Sequence, residues 1–180
     1  MKKLVQVATI LSGIAPKGKG VAHFVRIQDL TRRRGDLPTG KHPTAKRAVP
    51  IEAGDVLVAA RGEGDLAFRP DDDLIGAFAG LDLYLLRPDP ERLDPDYFAS
   101  VLNSESIKRE IRVSAVGATP LRIPKDALAE LPIPLPKLER QSVIGQFAIC
   151  IERYEALARR KLAAEKRWAE ACLEQAFTQS

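Results

Sequence analysis

The chain has 180 residues and is 45% hydrophobic, enough for one packed body with an appendage or for two small domains, and too apolar for a disordered chain. Its net charge of +4 is uneven: residues 1–61 carry 12 Lys and Arg against 4 Asp and Glu, residues 62–136 carry 8 against 14, and residues 137–180 carry 8 against 6. No apolar stretch approaches the roughly 20 residues of a membrane span, and the run after Met1-Lys2-Lys3 is too short for a signal peptide, so a cytoplasmic address without membrane contact is expected.

Leu4 to Ile10 is a short apolar run with β-branched residues and predicts a strand. The loop that follows, Ser12 to Gly20, holds Lys17 and Lys19 and comes close to a phosphate-binding loop in its Gly13-x4-Gly18-Lys19 spacing. That chemistry needs a hydroxyl residue after the lysine and a helix whose amides cradle phosphate. Gly20 stands in the hydroxyl position, and Val21 to Ile27 alternates like a strand, so nucleotide binding is the weaker reading.

Asp29 to Pro50 reads as a long polar connection, punctuated by Gly35, Pro38, Gly40 and Pro43, and carrying Arg32, Arg33, Arg34, Lys41, Lys46 and Arg47. Cationic side chains on such a loop suit phosphate contacts, and Arg also reads guanine edges. The alternative is a solvated loop. Val56 to Ala60 predicts a buried strand ending at Arg61, which either faces a ligand or is an ordinary surface residue. Asp71-Asp72-Asp73 reads as a solvated turn, since three adjacent carboxylates do not form a metal shell by themselves.

Leu81 to Leu86 is the next strand, stopped by Pro88 and Pro90. Asp94-Pro95 starts a helix, with Asp as N-cap and Pro at the first helical position. Phe98, Val101, Leu102, Ile107 and Ile111 give it one apolar stripe. Val113 to Ile123 returns to β-type composition, Lys125 to Leu131 is a short helix or turn, and Leu131 to Leu138 is a stiff proline-punctuated connector. Strands and helices intermingle without a βαβ repeat, which predicts an α+β domain over residues 1–136.

Residues 137–180 form the second unit. Rich in Ala, Leu, Glu, Lys, Arg and Gln, the run from about Glu139 to Phe177 predicts one long helix of roughly 60 Å. Ile144, Phe147, Ile151, Tyr154 and Ala158 step by 3 and 4, the seam of a coiled coil, and Leu162, Ala169, Leu173 and Ala176 continue it less strictly. Self-association through these residues is the favoured reading over an amphipathic helix lying on its own domain. Cys150 and Cys172 lie in this run, 22 positions apart, and read as small apolar residues rather than a disulfide. Only His23 and His42 are present, and no Cys/His set suits zinc, so neither a catalytic nor a metal centre is expected.

Taken together, the segments resemble the specificity (S) subunit of Type I restriction–modification systems. Phe24-Val25-Arg26-Ile27-x-Asp29-Leu30 is similar to that family's aromatic-x-Arg-x2-Asp segment. Gly54-Asp55-Val56-Leu57-Val58-x2-Arg61-Gly62 is similar to its GD-aliphatic strand and turn, and Leu83-Tyr84-Leu85-Leu86-Arg87-Pro88 to its strand ending in Arg-Pro. Gly117-x-Thr119 and the segment from Leu131 through Gln141 to Ile144 resemble the approach to its conserved helix; Arg140 departs from the Glu common there.

The resemblance implies a half-subunit: one target-recognition domain and one long helix, where the usual subunit has two of each. It implies a non-catalytic chain that reads half of a bipartite double-stranded DNA site, with antiparallel helices setting the distance between halves. S-adenosylmethionine would belong to partner methyltransferase subunits, and ATP-driven translocation and cleavage to a restriction subunit. Two identical chains about a two-fold axis would read a palindromic split site. Candidate DNA contacts are Lys17, Lys19, Arg32, Arg33, Arg34, Lys46, Arg47, Arg61 and Arg122. Candidate dimer contacts are Ile144, Phe147, Ile151, Tyr154, Ala158 and Leu162. Two other readings stand beside this one: a coiled-coil adaptor that binds protein alone, and an enzyme using the Gly13–Lys19 loop on a nucleotide.

Overall fold

A computed structural model of the chain describes residues 1–31, 39–43, 48–61, 66–114 and 122–178. Its strands are β1 (Lys2–Lys3), β2 (Ala8–Ser12), β3 (Gly18–Val25), β4 (Thr39–Pro43), β5 (Val56–Ala59), β6 (Ala67–Phe68), β7 (Phe78–Ala79), β8 (Leu83–Pro88) and β9 (Pro132–Ile133). Its helices are α1 (Ile27–Thr31), α2 (Pro95–Leu102), α3 (Glu105–Ser114), α4 (Lys125–Glu130) and α5 (Leu138–Thr178). The expected α+β body with a long C-terminal helix is present.

The centre is an antiparallel sheet in the order β2-β8-β5-β6. β5 and β8 are apolar at almost every position because the sheet is covered on both faces. Val56, Val58, Tyr84 and Leu86 point into the larger core with Phe98, Leu102, Ile107 and Leu128 from the helices. Leu57, Leu83 and Leu85 alternate to the other face and meet Val25, Ile51 and Leu74. A second sheet, β4-β3-β7, carries a satellite cluster in which the Phe24 and Phe78 rings lie 5.9 Å apart.

Several sequence expectations change. Leu4–Gln6 is a 3-10 turn, and the strand is β2; Leu4 is fully buried and its N–H donates to the Leu131 carbonyl. The polar connection from Asp29 to Pro50 contains the end of α1 and all of β4. The helix expected from Asp94 through Ile111 is two helices. They part at Asn103, whose side chain accepts from the Leu66 and Ala67 N–H groups and donates to the Ala67 carbonyl. That bond set holds Asn103 on β6 and turns the chain before α3. Val113 and Ser114 belong to α3 rather than to a strand, while Arg122 forms an isolated antiparallel bridge with Arg61. Cys150 and Cys172 are free, as expected, and both are exposed.

The connector is extended, as its prolines require, and β9 pairs with β1. α5 is continuous for 41 residues. Its first turns pack on α2: Gln141 and Gly145 are buried and Ala148 and Ile149 half-buried, one face at helical spacing. A Cβ at Gly145 would stand 2.7 Å from the Tyr97 nitrogen, so only glycine permits this crossing without a shift. From Cys150 to Phe177 every residue except Ala156 is exposed, and the rod projects from the body.

Candidate nucleic-acid interface

The strand directions place two different clusters at opposite ends of the central sheet. β2 and β5 both run toward the start of β8, where Ser12 pairs with Tyr84 and Ala59 with Leu83. At that end the Ala60 N–H donates to the Asp82 carbonyl, the Ile123 N–H to the Ala60 carbonyl, and the Tyr84 hydroxyl to the Ile123 carbonyl at 2.8 Å. These bonds tie three separate chain segments together. They bring Arg61 and Arg122, distant in sequence, side by side across one bridge.

Both guanidiniums reach the Asp82 carboxylate, Arg61 Nε at 3.2 Å and Arg122 Nη1 at 3.7 Å from Oδ1. The three side chains are 44–49% exposed, so two cations and one anion face solvent on a rigid backbone. Lys17 is exposed in the connection that leaves the same sheet end, and Lys19 is exposed at the start of β3. Gly18 and Lys19 open a strand, not a helix; Gly20, at φ 78°, sits in the bulge between Gly18 and Val21. The amide cradle of a phosphate-binding loop is therefore absent at this position. Arg32, Arg33, Arg34, Lys46 and Arg47 lie outside the described residues.

The opposite end of the sheet is built of charged residues: Asp55 and Arg87, which the sequence offered only within motifs, and Glu52 and Arg69, which it did not single out. Asp55 is fully buried and accepts a fork from Arg87, Nε to Oδ1 at 2.8 Å and Nη2 to Oδ2 at 2.9 Å. Its Oδ2 also accepts the Glu52 N–H at 2.7 Å. Arg69 donates to the Asp55 carbonyl and to the Asp96 carboxylate. The bonds to Asp55 push the Arg87 guanidinium above its ordinary value, so it stays charged in its partly buried site. The Gly-Asp and Arg-Pro motifs thus meet through their charged residues, and they hold the fold rather than a ligand. Arg26 and Asp29 likewise pair with each other, at 3.0 Å.

Next to this network the rod is fastened. Gln141 is 1% exposed; its Oε1 accepts from the Asp94 N–H at 2.9 Å, and its Nε2 donates to the Arg92 and Pro136 carbonyls. Asp94 meanwhile caps α2 through the Asp96 and Tyr97 N–H groups. The Tyr97 hydroxyl donates to the Pro134 carbonyl at 3.0 Å. Rod, connector and body are therefore bonded at one point. Ile144, Phe147, Ile151, Tyr154, Ala158 and Leu162 lie away from this face and are all exposed, Phe147 at 67% and Tyr154 at 74%.

A family model described as the Type I restriction modification DNA specificity domain matches residues 3–161, through the body and into the rod. The chain belongs to this family. Solved structures similar to the specificity domain agree on its fold. One, from a study of complex assembly and conformational transition of the type I R-M system, is 18% identical and superposes with a TM-score of 0.70 over 92% of this chain and 45% of that one. The HsdS subunit of Thermoanaerobacter tengcongensis is 21% identical, with a TM-score of 0.59 over 88% of this chain and 38% of that one. The S subunit of the M. genitalium Type I system is 21% identical, with a TM-score of 0.55 over 87% and 40%. The chain thus spans less than half the length of these solved chains. No curated protein matches it.

Proposed function

We infer that the chain is a DNA-recognition component of a Type I restriction–modification assembly, without catalysis of its own, acting in the cytoplasm. The observation that carries this reading is the specificity-domain match, which takes in the body and the first half of the rod alike. In this reading the body reads one half of a split duplex site with the sheet end that carries Arg61 and Arg122, together with Lys17 and Lys19 further along the chain that leaves that end. The remaining candidate cations, Arg32, Arg33, Arg34, Lys46 and Arg47, are proposed as further DNA contacts. Phosphate contacts supply most of the affinity and make it steeply salt-dependent.

The exposed seam of α5 supports antiparallel pairing with the rod of a second copy, because an apolar stripe of this length in water gains by being covered. Two heads related by a two-fold axis would read a palindromic split site, with the rods as spacer. Methyltransferase subunits, which would hold the methyl donor S-adenosylmethionine, and a restriction subunit are the partners of this arrangement.

Light scattering of the purified chain, co-purification with a Type I methyltransferase subunit, and a salt titration of duplex binding by the resulting complex test the reading together. Two copies per assembly and a log–log salt slope of several units are expected. A complex that ignores duplex DNA, or binds it without salt dependence, overturns DNA recognition. The seam favours equally a coiled-coil adaptor that binds protein alone; in that case charge reversal at Arg61 and Arg122 would leave function unchanged.

A further inference from the structure

We propose that Asp82 is a gate on the Arg61–Arg122 pair: an internal anion that occupies the two guanidiniums until a phosphodiester of duplex DNA replaces it. This rests on the DNA-recognition reading and adds to it a residue that restrains binding rather than promoting it.

Three observations carry the inference. First, the arrangement is mounted rigidly. The Ala60 backbone donates to the Asp82 carbonyl and accepts from the Ile123 N–H at 2.8 and 2.9 Å, so the side chains above them share a fixed base. Second, the stoichiometry is unequal. Two guanidiniums share one carboxylate, which leaves a net positive charge facing solvent. A phosphodiester carries the same single charge as the carboxylate and offers two unesterified oxygens, one to each arginine. Third, the restraint is weak enough to be displaced. All three side chains are close to half exposed, and the separations of 3.2 and 3.7 Å are those of a loose, solvent-exposed contact rather than a buried fork. The contrast lies within the same molecule: the Arg87–Asp55 fork, with Asp55 fully buried, is closed at 2.8 and 2.9 Å.

The consequence is discrimination. On random duplex, where few other contacts form, exchanging Asp82 for a phosphate gains little and the pair stays closed. Where the rest of the interface fits, the local phosphate concentration is high and the exchange goes forward. The carboxylate, left beside a phosphate, also repels a backbone that is out of register. Asp82 would thus lower binding to unrelated sequence more than binding to target.

The test uses the full chain within the assembly that binds DNA. Asp82→Asn keeps the side-chain shape and removes the charge. Its melting temperature should match that of the parent, while affinity for a random-sequence 30-base-pair duplex at low salt should rise about tenfold. The log–log salt slope should steepen by about 0.9, the signature of one more neutralised phosphate. Adding Arg61→Gln and Arg122→Gln to Asp82→Asn should abolish both gains. Unchanged affinity and slope in Asp82→Asn, with the parent binding duplex normally, overturn the gate and leave DNA recognition standing. A parent that does not bind duplex overturns both. Should Asp82→Asn not fold, the Arg61→Gln, Arg122→Gln double variant decides, read on a duplex recovered by selection with the parent and on the random duplex: a slope unchanged on the selected duplex removes the pair from the interface and the gate with it, and a slope shallower on the selected duplex but not on the random one supports it. Inorganic phosphate at matched ionic strength should displace duplex no better than chloride; a phosphate-specific competition would mean that the pair takes free phosphate and would overturn the duplex assignment.

Discussion

Asp55 shows how a charge-bearing motif can be structural. Its carboxylate is fully buried and spends its lone pairs on Arg87 and the Glu52 N–H. Replacing it with Ala strands these donors and should cost about 2–3 kcal/mol. That corresponds to a melting temperature lower by roughly 5–10 °C, with Asp55→Asn falling between variant and parent in a thermal scan. Tyr97 makes a pH-dependent contribution. Burial pushes its phenol above the ordinary tyrosine value, with Arg140 opposing. A raised folded-state value means that the unfolded chain releases this proton first. The contribution is therefore complete below the ordinary tyrosine value and is lost as pH rises through the folded one. Tyr97→Phe should cost about 1 kcal/mol at neutral pH through the lost bond to Pro134. It should also flatten the alkaline decline of stability; urea midpoints measured from neutral to strongly alkaline pH check both.

At the scale of elements, the junction of α2 and α5 sets the direction of the rod. Gly145 is the closest approach, with Tyr97 and Asp96 atoms at 2.7–3.0 Å from where a Cβ would stand. Alanine is the better helix former by about 1 kcal/mol, yet overpacking at such a contact costs about 1–3 kcal/mol. Gly145→Ala should therefore destabilise the chain by about 1 kcal/mol in denaturant titration; a stabilised variant would mean that the crossing is looser than drawn. The outer face of α5 behaves differently. Phe147 and Ile151 touch solvent, so Phe147→Asp with Ile151→Asp should leave the melting temperature of an isolated chain within about 0.5 kcal/mol equivalent of the parent. The same pair of substitutions should abolish self-association in light scattering, the property assigned to that face.

At the scale of the whole molecule, the body places its cationic sheet end and its rod attachment at opposite ends of the central sheet. Rod length and head position are therefore linked through a stiff connection rather than a flexible one. Inserting seven residues after Leu162 keeps a heptad in phase and lengthens the rod by about 10 Å, or about three base pairs of duplex. The preferred spacer of the bound site should change accordingly in a binding selection from random duplexes. An unchanged spacer would remove the rod from its role as a ruler.

Much of this was legible in the residues. The proline connector, the long helix, the apolar strands β5 and β8 and the Asp94-Pro95 helix start all follow from local rules: fixed φ, helix propensity, period and capping act over a few neighbouring positions. The apolar residues at steps of 3 and 4 along α5 were legible for the same reason, and they are exposed. The places where reading failed depend on partners far away in the chain. Leu4 leaves the strand to be buried beside Leu131, and Asn103 breaks one predicted helix into two by bonding to β6. Gln141 and Gly145 look like ordinary helix residues until α2 lies against them. Sequence alone determined the stiff link, the long helix, the strands β5 and β8 and the start of α2, and that α5 carries apolar residues at steps of 3 and 4, because these are short-range properties. Only the tertiary structure decided which charges are internal fasteners and which face outward. Arg87 and Arg61 are the same residue type at the ends of neighbouring strands, and burial of the carboxylate each one meets, Asp55 or Asp82, separates their roles.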